Sequence, residues 1–198
     1  MDILHKTQKD EYFLERIQHG ETEFPFRFYS EDVWEFDFHR IDWHWHPEVE
    51  FVYVEKGEIS CFVGTEQFIL SQGCGLFVNS GVLHRYEATE SVCVPNIVFS
   101  PELLGTKTGR IYQKYIVPVI ESAISCIRFS PSVECEQEIL QLLLHIFRLT
   151  EKENTEMQIV SHLLKLWQQL FICSEAHREH MTGDKGRRAQ LQVMMQFI

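Results

Sequence analysis

The sequence predicts a protein that is mainly β in its first half and α-helical in its second half. Between residues 24 and 99, short runs rich in Val, Ile, Phe, Tyr and Trp alternate with Gly, Asn, Ser and Pro. Short strands separated in this way by turn residues are typical of an all-β sandwich or barrel. After residue 99, the apolar residues recur at helical spacing instead.

Five runs in the β part each have the length and composition of a strand. Val, Ile, Phe, Tyr and Trp, which fit a pleated and half-buried surface, dominate them. Glycine-containing segments such as Lys56-Gly57-Glu58 separate them and predict turns. The predicted strands are Phe24–Tyr29, Trp34–His39, Glu50–Glu55, Ile59–Val63 and Gln67–Leu70.

Two helices are predicted in the second half, at Val133–Thr150 and Glu156–Ser174. Their apolar stripes are wider than a single core-facing stripe requires, so each helix needs cover on two sides. The β barrel can cover one side, and a second copy of the same helix hairpin is the simplest cover for the other. The residues predicted for this homodimer interface are Leu163, Trp167 and Leu170.

The composition indicates a globular, acidic protein. Apolar residues make up 44% of the chain and charged residues 24%, and the net charge of −11 disfavours direct contact with a phosphate backbone. The first residues lack the pattern of a signal peptide, and no apolar run reaches membrane-spanning length. Six scattered cysteines predict reduced thiols in core positions, so we expect a cytoplasmic protein without membrane contact.

The two ends of the chain differ from its centre. Residues 1–20 are polar with a weak helical stripe, which predicts an N-terminal arm. Residues 176–186 are polar with two glycines, which predicts a linker. Leu191, Met194, Met195 and Ile198 then follow at the spacing of one helix face, and the sequence stops within that stripe. This pattern suggests a chain that is cut within a further helix.

The segment around residues 44–50 contains the side chains that could bind a metal. His44, His46, Glu48 and Glu50 lie two residues apart, so they share one face if the strand is regular. Two imidazoles and a carboxylate on one face can bind a metal such as Fe(II), and a further histidine extends the choice to Mn, Ni, Cu or Zn. His84 follows a later turn and offers that third imidazole.

Two motifs in this region resemble those of the cupins. His44, His46, Glu50 and Gly57 match the first motif, His-x-His, three residues, Glu, six residues, Gly. The second motif is matched at Gly73, Gly81 and His84. The chain departs from it at Asn79, where cupins often have Pro, and at Ala88, where they often have Asn. The resemblance implies a cupin jelly-roll barrel followed by an α-helical hairpin, with His44, His46, Glu50 and His84 as metal ligands.

The order of the segments resembles the AraC family of bacterial transcription regulators. A cupin barrel is followed by Ser100-Pro-Glu-Leu-Leu-Gly105, a helix hairpin, a linker and a segment that starts at Arg187-Arg188. The resemblance implies an arm at 1–20, an effector-binding barrel at 21–105 and a dimerisation region at 106–176. Residues 177–198 would form a linker and the start of a DNA-binding domain with helix-turn-helix units, so DNA contact would require the missing C-terminal part.

Alternatives remain for the candidate effector site. The four cupin positions can hold a divalent transition metal (Zn, Ni, Fe or Mn) or form a polar pocket for an organic effector. Arg40 can anchor an acidic effector or lie on an edge strand. Trp43, Trp45 and Tyr86 can line the pocket mouth or pack within the sheets.

The hypothesis that these observations favour is an effector-sensing, dimerising domain that is not an enzyme. A metal-dependent cupin dioxygenase, decarboxylase or isomerase is the second hypothesis, and a structural or storage barrel is the third. The wide apolar hairpin favours the sensor, because a stand-alone barrel enzyme does not need it.

Overall fold

Two antiparallel β-sheets pack face to face, and helices cover the outer side of the larger sheet. The computed structural model describes residues 6–181, with side chains through residue 175. The strands are β1 (Phe26–Asp32), β2 (Arg40–His44), β3 (Val49–Tyr53), β4 (Glu58–Val63), β5 (Glu66–Ser71), β6 (Gly75–Val78), β7 (His84–Glu87), β8 (Cys93–Phe99) and β9 (Cys126–Phe129).

The strands form a sheet in the order β1-β8-β3-β6-β9 and a second sheet in the order β2-β7-β4-β5. A π-helical turn, Tyr112–Ile116, runs into the short helix α1 (Val117–Ile120) before the last strand. The hairpin consists of α2 (Glu134–Thr150) and α3 (Glu156–Met181). The predicted fold class, mainly β with C-terminal helices around a jelly-roll barrel, is confirmed.

Strand β3 joins the two hydrophobic cores of the molecule. Its first four residues, Val49 to Val52, are all buried, because helices cover one face of the larger sheet and the second sheet covers the other. Phe51 points to the helices and packs between Phe77 and Phe99. Val52 points into the barrel, and the alternation of a strand therefore directs Glu50 into the barrel as well.

The predicted strand at Trp34–His39 is wrong. Two 3-10 turns, Val33–Glu35 and Asp37–His39, occupy this segment. The Asp32 carboxylate caps the first turn by accepting from the Trp34 backbone N–H at 3.0 Å. Phe38 and His39 both have positive φ angles, which an extended strand cannot contain. The other four predicted strands are found, displaced by one to three residues at their ends.

Residues 44–50 do not form the regular strand on which His44, His46, Glu48 and Glu50 would share one face. β2 ends at His44, His46 lies in the connection that follows, and Glu50 belongs to β3 in the other sheet. The metal-motif residues therefore come from two sheets and the connection between them, and not from one face of one strand.

The N-terminal arm lies along β2, the edge strand of the smaller sheet. Backbone hydrogen bonds of 2.9 Å join Trp45 N–H to Phe13 O and Glu15 N–H to Trp45 O. The Lys9 ammonium donates to Asp42 at 2.8 Å and to the Trp43 carbonyl at 2.7 Å. The described part of the arm folds back through a turn at residues 11–12 that pairs Lys9 with Glu15, so the weak helical stripe did not predict its structure. Its contacts with Asp42, Trp43 and Trp45 cover part of an otherwise open sheet edge.

The residues predicted for the dimer interface face the interior of the protein. Leu163 and Leu170 are fully buried, and Trp167 is 3% exposed. The Trp167 indole packs edge-on against Phe77 of the barrel and donates to the Tyr115 carbonyl at 2.9 Å. These three side chains therefore cannot contact a second copy, because the stripe predicted to face a partner faces the larger sheet instead.

Helix α3 extends beyond its predicted end at Ser174 and continues to Met181, into the segment assigned to the linker. The remainder of that segment, with Arg187, Arg188 and the apolar stripe up to Ile198, lies outside the described residues. None of the helices in the described part of the chain has the length and apolar character needed to cross a membrane.

We predict that Asn79→Ala destabilises the fold by on the order of 2 kcal/mol, because buried carbonyls would lose their donor. The Asn79 amide donates to the Val119 and Ile124 carbonyls at 3.0 and 2.9 Å, which ties the second cupin motif to the helical part. Urea unfolding measures the loss. Ser80→Ala, which removes an exposed hydrogen bond, is the control and should change stability little. Equal stability of the two variants would contradict this role of Asn79.

Candidate functional site

Three imidazoles and a carboxylate converge inside the barrel. His44 ends β2 and lies directly opposite His84, the first residue of β7. His46 follows in the connection, and Glu50 points inward from β3. All four residues are at least 95% buried. The candidate ligands that the sequence identified therefore lie together. They come from two sheets and a connection, and not from one face of a single strand.

The backbone fixes the orientation of each ring. His44 Nδ1 lies 2.8 Å from the Asp42 carbonyl, and His84 Nδ1 lies 2.8 Å from the Val82 carbonyl. His46 Nδ1 lies 3.3 Å from the Glu48 carbonyl. A carbonyl can only accept, so each Nδ1 carries a proton, and in the neutral imidazole each Nε2 is left with a lone pair. Three nitrogens that could bind a metal are thus free of the backbone, and each ring has the kind of partner that orients metal ligands.

The distances among the Nε2 atoms and Glu50 suit a metal. One ring nitrogen from each of His44, His46 and His84 lies within 4.8 Å of the other two. Glu50 Oε2 lies 3.1 Å from His84 Nε2 and 3.6 Å from His46 Nε2. Two ligands each about 2.1 Å from a metal are about 3.0 Å apart at a right angle and about 4.2 Å apart when opposite.

Two of these atoms lack a hydrogen-bond partner within residues 6–181. They are Glu50 Oε2 and His84 Nε2, which are close but not aligned as donor and acceptor. Unpaired polar atoms in a buried site are costly. A divalent cation would engage both, and the set of three imidazoles and one carboxylate fits Fe(II), Mn(II), Ni(II) or Zn(II).

The electrostatics favour a positive charge at the centre of the four side chains. Burial and the neighbouring His84 lower the pKa of His44 to about 3, so this imidazole is neutral. Burial would raise the pKa of Glu50, but His46 and His84 hold it well below its usual value. Burial also opposes protonation of His84, yet the Glu50 carboxylate raises the pKa of His84. The Glu50 carboxylate is therefore ionised and places a negative charge among the three imidazoles.

Of the predicted effector contacts, only Tyr86 lines the cavity beside this site. A β-bulge between Ile41 and His44 reverses the alternation of β2, so Ile41 points inward and Arg40 does not. The Arg40 guanidinium instead lies over the Phe38 ring and 3.8 Å from Asp42.

Trp43 and Trp45 flank the inward-pointing His44, so both point away from the cavity. Trp43 packs against Phe62 and Arg85 on the outer side of the smaller sheet. The Trp45 indole donates to the Tyr12 carbonyl of the arm at 2.9 Å. The predictions that Arg40, Trp43 and Trp45 line the cavity are therefore wrong.

The cavity also contains residues that sequence reasoning missed. They come from the arm, from β1 and from β8, and no motif linked them to the cupin positions. The polar ones are Lys6, Thr7, Glu15, His19, Tyr29, Glu31 and Asn96. The cavity volume is about 60 Å³, whereas small-molecule sites typically enclose about 300–1,000 Å³. The arm therefore occupies much of the space at the mouth of the barrel.

A model of the AraC-like ligand binding domain matches residues 33–167. The chain belongs to this family. It is also 26% identical over 174 residues to YdeC of Bacillus subtilis (strain 168), an uncharacterized HTH-type transcriptional regulator, and this alignment covers 82% of the chain. The chain spans 57% of the length of that relative.

Two solved structures are similar to part of this chain. An RmlC-like cupin from Shewanella frigidimarina is 20% identical and covers 37% of this chain and 65% of its own, with a TM-score of 0.34. A predicted oxalate decarboxylase from Thermotoga maritima is 22% identical and covers 31% of this chain and 56% of its own, with a TM-score of 0.29.

We predict that Glu31→Gln stabilises the metal-free protein at pH 8. Burial and the charges of Glu50 and Glu15 raise the pKa of Glu31 to about 7. A folded-state pKa above the unfolded value of 4.5 means that this carboxyl lowers stability as pH rises from 4.5 to about 7. The gain should therefore be complete above pH 7 and absent below pH 4.5. Thermal unfolding with a chelator present measures it.

Glu35→Gln, at an exposed position on the neighbouring turn, is the control and should show no comparable gain. A Glu31→Gln protein with the same pH profile as the parent protein would contradict the burial of this charge.

Proposed function

We propose that this AraC-like domain senses a small effector through a divalent transition metal held by His44, His46, Glu50 and His84. The observation that carries the proposal is the convergence of three buried imidazoles, with Glu50 3.1 Å from His84 and 3.6 Å from His46. A bound metal would supply Lewis acidity and open coordination positions for an effector with carboxylate, hydroxyl or similar oxygen donors. The Tyr86 hydroxyl, which has no hydrogen-bond partner among the described residues, is available to bind such a group.

The regulatory context is proposed from the family and from the relative. The name of the B. subtilis protein describes an HTH-type transcriptional regulator, and the chain aligns with 57% of its length. By analogy, effector binding in the barrel would change the activity of a DNA-binding domain joined after the helix hairpin. The acidic domain itself would not contact DNA, and the regulator would act in the cytoplasm, where bacterial DNA is located.

The metal content of the purified chain tests this proposal. We expect about one transition-metal ion per chain when no nickel column is used, and loss of the ion in His46→Ala. His145→Ala is the matched control, because His145 lies on the outer surface of α2, stacked on His162 and away from the barrel. Elemental analysis after gel filtration provides the measurement. If the parent protein and His46→Ala are equally free of metal, the four residues form a polar pocket for an organic effector.

A metal-dependent cupin enzyme is the second candidate, because three imidazoles and a carboxylate can also activate water or oxygen. The match to the AraC-like ligand binding domain and the similarity to a transcriptional regulator favour sensing over turnover. Turnover of a small acid or diol that depends on metal and is lost in His46→Ala would reverse this ranking.

We propose that the outer face of α3 forms the homodimer interface in place of the three buried residues. Met157, Leu164 and Ile172 are 88%, 40% and 54% exposed and lie two helical turns apart. The half-buried Val160 and Phe171 lie on the same face. An exposed apolar stripe of this kind is typical of an association surface, and an isologous dimer would bury it against its own copy.

We predict that Leu164→Glu produces a folded monomer, because it places a charge in the proposed interface. The adjacent Leu163→Glu should instead give unfolded or insoluble protein, because Leu163 is fully buried in the protomer. Light scattering and circular dichroism distinguish the two outcomes. An unchanged dimer mass for Leu164→Glu would place the interface elsewhere, and a monomeric parent protein would exclude the dimer.

A further inference from the structure

The arm carries a carboxylate to the candidate metal site. Glu15 is anchored by its backbone N–H, which donates to the Trp45 carbonyl at 2.9 Å, one residue from both His44 and His46. Its side chain points into the cavity, where Glu15 Oε2 lies 4.0 Å from His44 Nε2. Glu15 therefore approaches the nitrogen that faces the proposed metal, and not the nitrogen that is bound to the backbone.

The position of Glu15 is compatible with direct coordination. Its carboxylate, His19 and His46 form a second group of possible ligand atoms within 4.8 Å of one another. The 4.0 Å separation between Glu15 Oε2 and His44 Nε2 is within the range of about 3.0–4.2 Å expected for two ligands of one metal. His46 is shared by this group and by the group of His44 and His84, and Glu15, His44 and His46 line the same cavity.

His19 and Tyr29 hold the Glu15 side chain in place. His19 is 5% exposed, and its Nε2 lies 3.0 Å from Glu15 Oε2. Its Nδ1 lies 2.8 Å from the Tyr29 hydroxyl on β1. A carboxylate accepts only, so Nε2 carries the proton and donates to Glu15, while Tyr29 donates to Nδ1. This is the hydrogen-bond arrangement that orients metal-ligating carboxylates.

The charge balance also favours a second carboxylate. A divalent cation with three neutral imidazoles and Glu50 alone would leave one net positive charge in a buried site, which is costly. Addition of ionised Glu15 makes the sum 2 − 1 − 1 = 0. The neutral cluster would need no counter-ion from solvent.

We propose that Glu15 is a ligand of the metal, so that the N-terminal arm is attached to the barrel through the ion, with His19 as a positioning residue. This inference rests on the proposed metal site and adds a fifth ligand to it. An octahedral ion would then keep one position for an oxygen donor of the effector. Metal binding and docking of the arm would favour each other, because the same ion contacts both.

Cobalt(II) binding to the full chain tests the proposal, with Glu15→Gln compared with Glu48→Gln. Glu48 is a matched control, because its carboxylate lies 3.8 Å from His46 Nδ1, on the side of the ring that faces away from the metal. We expect Glu15→Gln to weaken cobalt(II) binding at least about tenfold in competition with a chelator. Its visible absorption should also change, because that spectrum reports the ligand number and geometry. Glu48→Gln should behave as the parent protein in both measurements.

Hydrogen exchange provides a readout that is independent of affinity. The backbone N–H groups of Glu15 and Trp45 join the arm to the barrel, so saturating cobalt(II) should slow their exchange in the parent protein and in Glu48→Gln. No such slowing should occur in Glu15→Gln, at cobalt(II) concentrations that saturate this variant. Unchanged exchange of the β3 amides in metal-free Glu15→Gln verifies that the variant is folded.

The outcomes separate this inference from the proposed function. Equal affinity, equal spectrum and equal arm protection in Glu15→Gln and the parent protein would overturn the role of Glu15 and leave the four-ligand site intact. A parent protein that binds no cobalt(II) would overturn both. Weaker binding and loss of arm protection in Glu15→Gln alone would establish the arm as part of the metal site.

Discussion

The hydrogen bonds from three imidazole Nδ1 atoms to backbone carbonyls determine what this barrel can bind. They fix the tautomer and the ring orientation of His44, His46 and His84 without using another side chain. As a result, three lone pairs and the Glu50 carboxylate face one another in a buried space, an arrangement that favours a cation at its centre. Because the partners are backbone atoms of β2, of the connection after it and of the loop before β7, the site requires the closed barrel.

The same strand that carries Glu50 also anchors the helical half of the protein. Glu50 points into the barrel, while the next residue, Phe51, packs against Phe77, which contacts Trp167 of α3. Side chains packed at this density resist independent movement, so the site and the hairpin share one rigid layer. A change at the barrel site could therefore be transmitted through these packed side chains to α3. This helix would lead to a DNA-binding domain.

The arm serves the fold and the site together. It pairs with Trp45 directly after the edge strand β2, and Lys9 joins it to Asp42 of that strand, which covers part of an otherwise open sheet edge. The same pairing brings Glu15 and His19 to the cavity and leaves it too small for a typical effector. An effector larger than a few atoms therefore requires some rearrangement of the arm, whether or not a metal is bound.

The sequence by itself determined the division into barrel and hairpin, the chemistry of the site and its four central residues. These follow from local patterns: short β runs, helical stripes, and cupin spacings in which His44, His46, Glu50 and His84 are recognisable. Only the tertiary structure decided which neighbouring side chains share the cavity and which helix face is exposed. A single bulge in β2 directs Arg40 outward, the larger sheet buries Leu163 and Trp167, and long-range pairing brings Glu15 beside His44. Periodicity specifies the faces of an element, but contacts between distant segments decide what each face meets.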